Sequence, residues 1–185
     1  KGRLWTVEPK DVQTLTLKRK TGTVKLARAG DGSWQMLEPV KTRGDRNAVD
    51  GVVTTLATLR VDREIDGSPA KLSEFGLDPP EVQVTLEVKG RAELLVLLIG
   101  GKNPTGAWVY GKEGSKPAVL ALSEGVGRDV ARPLAELRDK TVLSFDRKSI
   151  TAVDLDVAGD RMTVEPQESG TWQITKPRAL KADAD

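Results

Sequence analysis

Asp154, Asp156, Gly159 and Glu165 stand at positions one, three, six and twelve of a calcium-loop pattern. At that spacing carboxylate oxygens can converge on a hard cation while the glycine allows the sharp turn between them. Position five is Ala158, which brings no side-chain oxygen. Val153, Leu155 and Val157 alternate with the acids at the period of a strand. A hairpin turning at Gly159-Asp160 therefore accounts for the same residues without a metal.

Other glycines and charges raise similar questions. Gly101 to Gly106 has the glycine spacing of a phosphate loop, but Ala107-Trp108 stands where Lys and Ser or Thr would meet phosphate and Mg²⁺. A hairpin loop is the plainer account. Gly125-Val126-Gly127 lacks the third glycine of a dinucleotide fingerprint and reads as a helix start. Lys18, Arg19 and Lys20, with Lys25 and Arg28, would attract an anion if they shared a face; lysines blunting a strand edge are the simpler reading. Trp34 and Trp172 could stack on a sugar, but a core role suits them better. Trp5 and Trp108 are less constrained, and with Lys18, Arg19 and Lys20 they form the candidate interaction surface.

Composition excludes much else. The 185 residues contain neither His nor Cys. Cys/His zinc sites, thiol nucleophiles, disulfides and imidazole bases are all removed. Asp and Glu remain for acid/base work, but nothing in one dimension pairs two of them in a pocket. No cofactor or metal is expected. A net charge of +2 argues against a nucleic-acid groove. The longest apolar run, Leu94 to Ile99, is far short of the roughly 20 residues of a spanning helix. The chain opens on Lys1 rather than Met, so it reads as a piece of a longer protein.

The elements that must position these residues follow from hydrophobic period. Strands are expected near Val12 to Arg19, Val24 to Arg28, around Trp34 and Met36, near Val61 to Ile65, and at Val82 to Val88. Three more are expected at Leu94 to Ile99, Ala107 to Tyr110 and Ala118 to Leu122, the first of them covered on both faces. Val49, Val52, Val53, Leu56 and Leu59 make a helical stripe, with Asp45 as N-cap and Gly51 required by close packing. Ser68-Pro69 opens a short helix that Gly76 ends in the left-handed conformation. Ser123 caps a helix through Val130, and Pro133 opens another.

Shifted by 138 positions, the chain matches itself: Trp34-Gln35 falls on Trp172-Gln173, Pro39 on Pro177, Gly32 on Gly170 and Asp45 on Asp183. The expected fold is α+β, with antiparallel or mixed sheets, interspersed short helices, and an internal β-β-β-α repeat whose second copy is truncated. Residues 1–143 would form a complete module and 144–185 the start of a second, joined near Leu143 to Asp146. Trp34, Trp172, Pro39, Pro177 and Gly76 are its expected structural residues.

Trp34 to Pro39, the stripe Val49 to Leu59, Phe75-Gly76-Leu77-Asp78-Pro79-Pro80, Ile99-Gly100, Gly106 to Tyr110 and Leu137-Arg138-Asp139 occur in an order and spacing that resembles the bacterial Domain of Unknown Function 4340 family. The resemblance implies an extracytoplasmic (periplasmic) domain, held by an N-terminal membrane anchor absent from these residues. It also implies an auxiliary role beside ABC-type transporters linked to gliding motility, with transporter subunits as protein partners and no catalytic residues to carry over. The expected function is a non-catalytic interaction or scaffold domain. The alternatives are a glycan or small-ligand module using Trp108 and the loop Gly100 to Gly106, and a hydrolase using Asp or Glu.

Overall fold

Apolar and polar residues alternate through most of the chain, and this pattern becomes hydrogen-bonded sheet. The computed structural model describes residues 2–141 and 145–182. Two compact units are formed, Lys1–Lys140 and Thr141–Asp185. Val142, Leu143, Ser144 and Asp183 lie outside the described residues, so the expected junction after residue 143 and the Asp45–Asp183 match do too.

In the first unit the strands are β1 (Val12–Arg19), β2 (Gly22–Arg28), β3 (Trp34–Glu38), β4 (Thr42–Arg43), β5 (Arg63–Asp66), β6 (Val82–Val88), β7 (Leu95–Lys102), β8 (Trp108–Glu113) and β9 (Val119–Ser123). They form one sheet in the order β4-β3-β2-β1-β6-β7-β8-β9-β5, antiparallel throughout. The helices are α1 (Arg46–Ala57), α2 (Glu124–Val130) and α3 (Leu134–Leu137). Strand accounts for 44% of the chain and helix for 18%, so the fold is mostly antiparallel β and not α+β. The helix signals were overweighted. Ser68-Pro69 opens no helix; a 3-10 turn over Leu72–Phe75 takes its place, with Lys71 before it. Ser123 precedes α2 without a side-chain cap bond.

The core lies between the sheet and α1. Leu15, Leu17, Leu26, Trp34 and Met36 point to one face and pack with Val49, Val52, Val53 and Leu56 of the helical stripe. Asp45 caps α1 by accepting the Ala48 N–H at 2.9 Å. Gly51, expected at a close contact, faces open space on the exposed side of α1. Glycine there only adds backbone freedom to the unfolded chain. Gly51→Ala is therefore expected to raise stability by about 0.5–1 kcal/mol in chemical denaturation. β7, expected to be covered on both faces, buries Leu95, Leu97 and Ile99 but leaves Val96 and Leu98 half-buried. Only one side of this sheet is covered by α1.

In the second unit, β10 (Val153–Val157), β11 (Asp160–Pro166), β12 (Trp172–Lys176) and β13 (Leu180–Lys181) form a separate antiparallel sheet in that order. Its strand pairing resembles that of β1 to β4. Leu26 opposes Met36 and Val164 opposes Ile174; Arg28 opposes Trp34 and Pro166 opposes Trp172. Pro39 and Pro177 both follow cis peptide bonds. The packing does not follow the pairing. Trp34 is 1% exposed, whereas Trp172 is half-buried, and no α-helix among the described residues belongs to the second unit, which has a single 3-10 turn over Arg147–Ser149. A repeated β-β-β-α module is not shown; the described part of the second unit is a four-stranded sheet.

Candidate functional site

A groove of about 520 Å³ lies in the first unit where the ends of β6 and β7 meet α2 and α3. Its apolar lining is Val82, Ile99, Val109, Ala131 and Pro133, and its charged lining is Glu81, Lys102, Glu124, Arg128, Arg132 and Glu136. Two glycines set its walls. A Cβ on Gly127 would stand 2.9 Å from Val109 Cγ1, so α2 rests directly on β8. Gly100 lets β7 pass against the carbonyl of Phe75 and the Gly76 backbone. Gly76 has a φ of 66°, ending the turn in the left-handed region, and Leu77 beyond it is buried.

The groove's charges are largely matched to one another. Lys102 Nζ lies 2.9 Å from Glu124, and Arg128 lies 3.9 Å from the same carboxylate. Arg132 pairs with Asp129 at 2.9 Å and with Glu136 at 3.9 Å. The Lys102 hydrogen bond and charge hold the Glu124 carboxyl below its usual range. Glu81 has no ion-pair partner among the described residues.

Arg19 adjoins this groove, and sequence reading placed it differently. It sits opposite Val82 and donates from Nη1 to the Arg132 carbonyl at 2.8 Å. Its Nε and Nη2 are buried without a hydrogen-bond partner among the described residues. Burial lowers its pKa. Lys18 and Lys20 are exposed, so alternation along the strand separates them from Arg19. They do not blunt an edge, because β1 is hydrogen-bonded to β2 on one side and β6 on the other. Arg19's route to Arg132 spans 113 residues and has no signal in local spacing.

The tryptophans also divide. Trp5 is 4% exposed and belongs to the core, so it presents no surface. Trp108 is half-buried with the Arg63 guanidinium 4.6 Å from its ring centroid. It does not line the groove, although Gly100 and Lys102 beside its loop do. That loop binds itself. Asn103 Oδ1 accepts the Trp108 N–H at 3.0 Å, Asn103 Nδ2 donates to Thr105 at 2.6 Å, and the Gly106 N–H reaches the Asn103 carbonyl. The N–H groups of Asn103, Gly106 and Trp108 are thus spent within the loop, as a hairpin requires. Asp154 and Asp156 likewise belong to a hairpin, turning at Ala158-Gly159, one residue earlier than expected. Asp154 accepts from Thr163 at 2.6 Å and Asp156 from Arg161 at 2.9 Å.

The second unit holds a more apolar concavity, lined by Phe145, Lys148, Ile150, Val153, Val164 and Trp172. Val153 opposes Val164, Leu155 opposes Met162, and Val164 opposes Ile174, so all of these share one face of the sheet. Val153, Leu155, Val157 and Leu180 are exposed there; Val157 retains 69% of its surface. No helix among the described residues is long and apolar enough to cross a membrane.

Residues 34–185 match the profile of a family described as Domain of unknown function (DUF4340). No curated protein and no solved structure matches the chain.

Proposed function

The chain belongs to the DUF4340 family, and from that premise we propose that it is a non-catalytic interaction domain that meets a protein partner through its second unit. The open apolar face of β10 to β13 carries this reading. An aliphatic surface of this kind gains free energy when another chain removes it from water, and contiguous exposed apolar patches mark contact sites. The groove of the first unit supports the non-catalytic part. Its lysine and arginines are matched to carboxylates, an arrangement that binds and orients rather than transfers protons. The setting proposed with this function is the extracytoplasmic side of a bacterial membrane, beside an ABC-type transporter whose subunits are the partners.

The test is site-directed photocrosslinking from Val157 in the full-length membrane protein. Transporter subunits are the expected adducts. Recovery of none from an intact membrane fraction overturns the transporter setting. A second reading, a small-ligand module, is favoured by the groove itself, where Glu81, without an ion-pair partner among the described residues, stands beside an apolar lining of Val82, Ile99 and Val109.

A further inference from the structure

The edge of the second sheet is built unlike the other edges. Among the described residues β10 is hydrogen-bonded to β11 alone, and all five of its residues are exposed. Folded proteins protect such edges by shortness, bulges, Pro or charged side chains, Lys above all, because unpaired N–H and C=O groups template further strands; β10 has of these only the charges of Asp154 and Asp156. Those devices are present elsewhere. β4 and β13 have two residues each, and β5 is interrupted by a register shift between Glu64 and Asp66. β10 pairs through five residues without a shift and contains neither Lys nor Pro.

β10 is also sharply two-sided. Val153, Leu155 and Val157 lie on the apolar face, while Asp154 and Asp156 lie on the other. A second copy of this chain does not suit it. Two-fold pairing of β10 with itself that keeps the apolar face continuous must be antiparallel, with Val and Leu opposite Val and Leu. Each such register of three or more pairs sets aspartate opposite aspartate, either Asp154 against Asp156 or one of them against its own copy. Like charges directly opposed disfavour the pair. The neighbour that β10 already has shows what satisfies it: β11 places Thr163 opposite Asp154 and Arg161 opposite Asp156. On the first sheet, β1 has a strand on both sides, and β6 meets it with Val84 and Leu86 opposite Leu17 and Leu15.

We propose that the free edge of β10 accepts an extended segment of a partner protein in which apolar residues alternate with Lys or Arg. Main-chain hydrogen bonds to β10 extend the sheet, the apolar residues widen the face that carries Val153 and Leu155, and the cations meet Asp154 and Asp156. This rests on the reading that the second unit meets a protein.

The experiment uses the full chain and three synthetic peptides: one alternating Val and Lys, one alternating Val and Glu, and one with Leu and Lys at helical spacing. Backbone hydrogen exchange is followed over 153–157. The Val/Lys peptide is expected to slow exchange there by about tenfold or more, the Val/Glu peptide to leave it unchanged. The double variant D154N/D156N keeps acceptors for Thr163 and Arg161 and is expected to lose the discrimination. Equal protection by both alternating peptides, or protection by neither, overturns the proposal. So does protection by the helical peptide alone, which assigns the face to a helix, or concentration-dependent protection without peptide, which assigns it to a second copy. Crosslinking from Val157 is read separately: adducts there with no Val/Lys effect keep the protein contact and remove the strand.

Discussion

Trp34→Ala is expected to lower the unfolding free energy of the first unit by about 3–5 kcal/mol, the range for removing a large core aromatic. The indole is 1% exposed and packs among Leu26, Met36 and the α1 stripe. It also organises charge. Its Nε1 donates to Asp50 at 2.9 Å, while the Arg28 guanidinium lies 4.3 Å from the ring centroid and 3.2 Å from the same carboxylate. Alanine leaves a cavity, uncovers the guanidinium and takes one donor from Asp50. Trp34→Phe separates these contributions. It keeps much of the volume and loses the hydrogen bond, and is expected to cost about 1.5–3 kcal/mol, as for a bond to a charged acceptor. Chemical denaturation followed by circular dichroism measures both. An alanine variant with an unchanged midpoint would show that Trp34 anchors nothing.

Gly100→Ala is expected to be comparably damaging, by about 3 kcal/mol or more, at or beyond the upper end of ordinary overpacking. A Cβ at Gly100 would run into the carbonyl oxygen of Phe75 and approach the Gly76 carbonyl carbon at 3.1 Å. A Cβ at Gly76 would in turn lie 2.8 Å from the Gly101 backbone nitrogen. Both obstacles are main chain, so no rotamer change relieves them. The neighbouring variant Gly101→Ala is the control, because its Cβ would meet nothing nearer than 3.9 Å. Its expected change is within about 1 kcal/mol. Equal midpoints for the two variants would contradict the close approach of the turn and β7. That contact joins two segments whose order and spacing carried the family resemblance, Phe75 to Pro80 and Ile99-Gly100.

The interaction surface was only partly visible beforehand. Trp5 had no period around it to separate a core residue from an exposed one. Lys18, Arg19 and Lys20 read as one basic run, yet a strand sends Arg19 and its neighbours to opposite faces. Arg19 then ends beside Arg132, a neighbour no local pattern announces. The groove combines side chains from β6, β7, β8, α2 and α3, and so exists only after those elements meet.

Period-two alternation by itself determined the strands from Val12 to Arg19 and Val82 to Val88, because solvent on one side and core on the other select alternate side chains. The stripe Val49 to Leu56 and the Asp45 carboxylate likewise determined α1 and its start, since both act within a few residues. Only the tertiary structure decided that nine strands join one sheet, that β1 is an inner strand, and that Val153 and Leu155 of β10 stay exposed while their counterparts Leu15 and Leu17 on β1 are covered. Pairing partners and cover are contributed by distant residues, and the free energy that chooses them comes from burial, which no local spacing encodes.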